Sequence, residues 1–189
     1  MKGLPMKSAI VPVALLIIAF SVSPLKAQDG APTATVLELK EQIIELQNKG
    51  TLGIKNFLPC SQISTLGSYT PLAEAKFKQN ETLYVYFEPV NFSTSKTQGI
   101  YEIWLTEDIL ILNDKGETLM EKPGIMENHY TSASPILDIY FNNHVEFDSV
   151  PAGKYIFKVI LYDKLKNTSA SESLPFEVVK EQKPAEKQE

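Results

Sequence analysis

Two-residue alternation of apolar side chains, recurring from residue 82 onward, is the feature that most narrows the folds open to this chain. Within 154–163, Tyr155, Phe157, Val159 and Leu161 share one face while Lys158 points to the other, as in a strand whose successive side chains alternate sides. Ile156, Ile160 and Tyr162 make that second face semi-apolar, so it too can be covered. Within 82–92, Leu83, Val85 and Phe87 alternate with Tyr84, Tyr86 and Glu88, and Pro89, which has no N–H for a ladder, predicts a bulge or a sheet edge. Further β-branched and aromatic runs at 54–63, 100–112, 137–147 and 173–179 are separated by Gly, Pro, Asn and Asp. Short strands with turn signals between them predict a mainly β, antiparallel sandwich.

Asn113-Asp114-Lys115-Gly116 reads as a hairpin turn, with Gly116 supplying a positive φ. Asp114 does not begin a calcium loop, because carboxylates at the following alternate positions are missing. The stretch 121–135 has no sustained period and holds Pro123-Gly124, His129, Tyr130 and a Ser/Thr cluster. It reads as a long loop, either a crossover between sheets or a contact segment.

Ahead of the strands, Val36, Leu39, Ile43 and Leu46 recur at spacings of three and four, with Leu37 and Ile44 beside them. This predicts an amphipathic helix over 33–47, ended by Asn48-Lys49-Gly50. The same stripe spells two heptads, which would let the helix join copies of the chain; two is short of a self-sufficient coiled coil, and the expectation is that the stripe packs on the domain that follows.

The N-terminus carries Lys2 and Lys7, an apolar run over 9–22, and Ser23-Pro24-Leu25-Lys26-Ala27 before the polar Gln28. That is the layout of a secretory signal peptide cleaved after Ala27, and the run is shorter than the roughly 20 residues of a spanning helix. A periplasmic or secreted protein with no stable membrane span follows as the expectation. The last residues, 181–189, hold no large apolar side chain and are expected to be disordered. One domain over 51–180 remains, preceded by the helix segment 28–50, a length able to bury a core.

The formal charge is −5, and loss of Lys2, Lys7 and Lys26 with the leader would deepen it. No cationic cluster is present to neutralise phosphates, which argues against nucleic acid. All 18 basic residues are lysine, so the planar two-point guanidinium grip on carboxylate or phosphate is unavailable to this chain. Cys60 is the sole cysteine; no intrachain disulfide can form, and Phe57, Leu58 and Ile63 around it predict a buried, inert thiol.

Catalytic patterns are missing. There is no Gly-x-Ser-x-Gly elbow, no phosphate-cradling glycine loop, and no closely spaced ligand pair of the kind zinc sites use. His129 and His144 read as surface or loop residues, and a zinc site joining them to Asp138, Glu146 or Asp148 has no fixed-spacing signature. Glu102, Glu107 and Asp108 could be mistaken for a glycosidase pair, but they read as solvent-facing charges on a sheet. No cofactor, metal or catalytic residue is therefore expected. Recognition falls to aromatics: Tyr84, Tyr86, Trp104 and Tyr162 lie opposite the core stripes, and Tyr130 sits in the 121–135 stretch. They form either an exposed contact face or a second buried layer, for instance under the helix.

The run Asp148-Ser149-Val150-Pro151-Ala152-Gly153-Lys154-Tyr155 and the alternation to Asp163 resemble the turn and penultimate strand of immunoglobulin-like and fibronectin type III-like domains. The longer span 81–179 looks like exported bacterial domains of this plan. The resemblance implies an immunoglobulin-like β-sandwich in which Tyr155 closes a corner through its hydroxyl and 173–179 forms the final strand; it brings no catalytic residues, and the cysteine pair of antibody domains is absent here. The expected function is an exported, non-catalytic binding or scaffolding protein of the cell envelope whose partner is a protein. Carbohydrate binding through the same aromatics is the alternative, and an unrecognised hydrolase on scattered carboxylates with His129 or His144 is a third reading.

Overall fold

The computed structural model describes residues 35–146 and 150–180; the expected signal peptide, residues 147–149 and the expected disordered tail 181–189 lie outside the described residues. The chain is mainly β, with two sheets and one helix. Helix α1 spans Val36–Lys49, and its start is fixed by a capping box in which Thr35 and Glu38 satisfy each other's backbone N–H groups.

The strands follow in order: β1 (Gly53–Thr65), β2 (Ser68–Pro71), β3 (Lys76–Lys78), β4 (Thr82–Val90), β5 (Ser95–Thr97), β6 (Ile100–Asn113), β7 (Thr118–Ser132), β8 (Phe141–Glu146), β9 (Gly153–Asp163) and β10 (Thr168–Val179). The first sheet runs β2-β1-β4-β8 with every neighbour antiparallel. The second runs β3-β10-β9-β6, with β5 and β7 also paired to β6, and it curls into a half-barrel. Among the described strands, only β3 and β10 pair in parallel.

One core lies between the sheets. The alternating residues Leu83, Val85 and Phe87 of β4 face Ile103, Leu105, Ile109 and Ile111 of β6 and Phe157, Val159 and Leu161 of β9 in a single cluster. Phe57 of β1 stacks on Phe157 at 6.2 Å and meets Phe87 edge-on at 5.9 Å, tying the sheets together. At Pro89 the β8 ladder has already ended, with Phe87 opposite Phe141, while β1 carries a register shift beside Asn56, whose φ is +55°. Gly116 (φ +81°) closes the β6–β7 hairpin, its N–H donating to the Asn113 carbonyl at 3.0 Å. Cys60 is buried, and burial pushes its thiol pKa up.

Two expectations about elements are corrected. The stretch 121–135 is not a long loop: most of it belongs to β7, paired with β6 from Tyr101–Ser132 to Leu112–Thr118. It shows no period because β7 has only one neighbour and both of its faces are largely open to solvent, so nothing selects apolar residues at alternate positions. The helix stripe does not pack on the domain either: Ile44 is the buried apolar residue of α1, while Val36, Leu39, Ile43 and Leu46 are exposed.

Candidate binding cleft

The five aromatic residues expected to make contacts do not share one face. Tyr84 and Tyr86 project from the outer side of the first sheet, whereas Trp104 and Tyr162 lie on the outer side of the second, on β6 and β9. Tyr130 sits on β7 opposite Ile103 and is 43 % exposed. A contact surface joining Tyr86 to Trp104 is thereby ruled out.

Tyr86 is fully buried. Its ring lies between Tyr69, 4.1 Å away, and Tyr140, 5.7 Å away; its hydroxyl donates to Glu88 Oε1 at 2.7 Å and accepts from the Gly67 N–H at 2.8 Å. The β1–β2 hairpin and Tyr140 supply this second layer, not the helix. Burial first, and then the Glu88 carboxylate, push the Tyr86 hydroxyl up to about 12. Burial raises Glu88, but hydrogen bonds from Lys55, Tyr86 and Asn56 outweigh it and leave that carboxyl below its ordinary range. Tyr86 is a structural residue; Tyr84, two positions earlier, stays 38 % exposed.

On the second sheet, Trp104 stacks on His129 across the β6–β7 ladder at 4.7 Å, and its Nε1 donates to Glu127 at 2.7 Å. His129 Nε2 meets Glu102 at 2.8 Å, which together with a Ser95 hydroxyl holds the Glu102 carboxyl low. The Tyr162 hydroxyl donates to Asp108 Oδ2 at 2.9 Å, raising the phenol, and the Gly124 N–H donates to Asp108 Oδ1 at 2.7 Å. One face of the indole is covered by the imidazole, and these polar groups answer one another within the sheet. Both histidines are at the surface, as expected, but on strands β7 and β8 rather than in loops.

The concave feature is elsewhere. Both β7 and β8 are edge strands, one in each sheet, and a cleft of about 490 Å³ opens beside them, lined by Ile109, Met120, Met126 and Val145 with Asn143 and His144 among its polar groups. Such a volume suits a side chain or small ligand. A second hollow of about 280 Å³ shares Met120, Val145 and Glu146 with it and continues past Leu119 to Tyr155 and Phe176.

Beside Met126, as its partner in the ladder, stands Glu107. This corrects the reading of Glu107 as a solvent-facing charge: its side chain is fully buried. Oε1 accepts from Asn143 Nδ2, a residue of the cleft wall, at 2.5 Å, and Oε2 has no hydrogen-bond partner. Burial pushes the carboxyl up to about 8; the Asn143 bond pulls it down and the nearby Asp108 adds to the rise. The group is therefore neutral at pH 7, a state that lets it donate a hydrogen bond. The signal for this was in the sequence, since Glu107 is in phase with Ile103, Leu105, Ile109 and Ile111. Among the described residues no three His, Cys, Asp or Glu side chains gather as a metal site would require. Nor is any described helix long and apolar enough to cross a membrane.

No protein-family model matches the sequence, and no curated protein matches it. Solved structures do. A family 123 glycoside hydrolase from Clostridium perfringens aligns at 9 % identity and a TM-score of 0.44, over 71 % of this chain and 28 % of its own. A DNA-bound alkylpurine DNA glycosylase from Pseudomonas fluorescens aligns at 11 % and 0.38, over 75 % and 36 % respectively. A CARDB domain from Pyrococcus furiosus, solved in complex with di-metal ions, aligns at 10 % and 0.33, over 68 % of this chain and 86 % of its own. The chain spans about a third of the length of the first two. At these scores the likenesses carry no assignment of activity, and the cleft has to be read from its own residues.

Proposed function

We propose that this is an exported, non-catalytic binding protein of the cell envelope, built on an immunoglobulin-like plan, that takes an extended peptide segment of a protein partner along the free edge of β8. The plan is supported by strand order: β1, β4 and β8 follow the order of strands A, B and E, and β6, β9 and β10 that of C, F and G, with β7 beside β6 where the variable-type plan adds C′. It is supported also by Tyr155, whose hydroxyl donates to the Pro151 carbonyl at 2.7 Å, the corner expected of a tyrosine at the start of strand F. Export rests on the layout of residues 1–27.

The observation that carries the binding reading is the open edge itself. In the constant-type plan a fourth strand, D, lies against E. Here residues 133–140, between β7 and β8, form no strand, and among the described residues β8 pairs with β4 alone. A strand edge offers a row of N–H and C=O groups, and an added strand gains its main-chain hydrogen bonds there while alternate side chains enter pockets. Ile109, Met120, Met126 and Val145 provide the apolar pocket, and Asn142 and His144 stand among its polar groups along β8. The deciding experiment selects peptides from a displayed random library against the purified protein and maps the winners by amide chemical shifts. Selected peptides should shift the amides of 142–146 and lose binding when Val145→Trp fills the pocket in a chain that still folds. Peptides that move only the Trp104 and His129 amides, or a selection that yields no binder, would overturn the reading.

A further inference from the structure

Helix α1 is fastened to its own domain by polar groups. The Glu41 carboxylate accepts from Lys96 Nζ and from the Tyr101 hydroxyl. Gln47 Nε2 donates to the Leu137 carbonyl at 2.9 Å, and the Asn48 amide both donates to and accepts from the Thr94 backbone at 2.9 Å. Lys166 Nζ reaches the carbonyls of Asn48 and Gly50 at the helix end, each at 2.9 Å. Ile44 is the buried apolar contribution to this side. Away from it, Val36 is 71 % exposed, Leu39 48 %, Ile43 42 % and Leu46 68 %. A helix pinned by its polar side with its apolar stripe in solvent inverts the usual arrangement, and the stripe is regular.

We propose that this stripe is the seam of a homodimer, occupied by α1 of a second copy of the chain as a short parallel two-stranded coiled coil. The residue types choose both the occupant and the geometry. Val36 and Ile43 take the a positions and Leu39 and Leu46 the d positions; β-branched residues at a with leucine at d favour two parallel strands. The flanks fit self-pairing as well. In this register Lys40 and Gln47 fall at e and Gln42 and Lys49 at g, so that no carboxylate flanks the seam, and Gln47 is turned to the Leu137 carbonyl of its own domain. Glu38, Glu41 and Glu45 lie off the seam at c and f, so two acidic chains meet there without opposing carboxylates. A seam that is its own complement closes with two-fold symmetry and leaves no open end. The anchoring residues, Glu41 and Asn48 at f, Ile44 at b and Gln47 at e, leave the a and d positions free and hold α1 ordered beforehand, which reduces the entropy lost on pairing. With only two heptads the association is weak and depends on concentration.

The test is sedimentation equilibrium of the purified full chain across a wide dilution series, beside Leu39→Glu/Leu46→Glu. The wild type should move from monomer to dimer with concentration, and the double variant should weaken association by about a hundredfold or more, as expected from removing exposed-to-buried transfer of four leucines per dimer. Its unfolding midpoint at low concentration should stay unchanged, since those side chains are exposed in the single chain. Val36→Cys then reads orientation, because equivalent a positions meet in a parallel pair and form an interchain disulfide on oxidation, whereas buried Cys60 stays apart. A wild type that remains monomeric, a dimer that survives the double substitution, or a Val36→Cys dimer that fails to cross-link would each overturn the proposal.

Discussion

Replacing Glu107 with glutamine should abolish a loss of stability that the wild type suffers as pH climbs from mildly acid to mildly alkaline. The native carboxyl is held at about 8 against an ordinary value of 4.5. An acid whose native pKa is raised keeps its proton in the folded state while the unfolded chain releases it. Stability is therefore highest below the unfolded value, declines as pH climbs from 4.5, and levels off above about 8. Each unit in that window is worth about 1.4 kcal/mol. At pH 7 the wild type has lost about 3 kcal/mol relative to strong acid, a loss a residue with no charge to suppress never incurs.

Glutamine keeps the shape and the acceptor for Asn143 and cannot ionise. Its amide nitrogen takes the place of Oε2, which has no partner, and that orphan donor brings a pH-independent cost of about 1–3 kcal/mol. The sign of the effect at one pH is thus a balance, but its change with pH is not. Urea unfolding of both chains at pH 5 and pH 8 isolates it, because other titrating groups are common to the two and cancel. The stability of Glu107→Gln relative to wild type should rise by about 3 kcal/mol between those pH values, or by about 9 °C in relative Tm for a domain of this size. A difference that stays constant would mean that the carboxylate is ionised and compensated in the folded state, and the account of a neutral Glu107 would fail.

Other substitutions separate what holds the fold from what decorates it. Tyr155→Phe deletes the hydroxyl that closes on Pro151 and should cost about 1 kcal/mol in urea unfolding, with the far-UV spectrum unchanged. Tyr86→Phe leaves the Gly67 N–H and one Glu88 bond unanswered and should cost about 1–3 kcal/mol. Phe157→Ala, at a fully buried site between the sheets, should cost about 3–5 kcal/mol, whereas Tyr84→Ala on the exposed side should cost under about 1 kcal/mol. Native Cys60 should resist an aromatic disulfide reagent that reacts promptly once the chain is unfolded in urea, because burial both shields the thiol and raises its pKa.

What the sequence displays is phase within an element; what it hides is which partner that phase is turned toward. Alternation placed β6 and β9 within a residue or two of their ends, because each lies between two neighbours and under a core, so each inner position was selected for burial. The outer β7 strand, with one neighbour and little burial, had no such selection and left only Pro123-Gly124 and scattered polar residues to read. In α1 the spacing of Val36, Leu39, Ile43 and Leu46 was legible, but Glu41, Ile44 and Asn48 recur at helical spacing as well, and it is that second stripe which the domain holds. Hydropathy assigned the wrong stripe to the interior because polar contacts with five distant residues, Thr94, Lys96, Tyr101, Leu137 and Lys166, invisible along the chain, decided the docking. Tyr84 and Tyr86 make the same point two residues apart: they share a face, yet only the second lies under Tyr69 and Tyr140. Glu107 is the converse case, a position whose phase declared it internal while its charge suggested a surface. Where period and polarity disagree, the period wins, because reversing one side chain would turn its whole strand over, whereas a carboxyl can be accommodated by keeping its proton and one amide partner. The same reasoning makes Asn143, in phase with Phe141 and Val145 on β8, the partner of Glu107 on the facing strand, and Asn143 is the member of that pair which reaches the cleft wall.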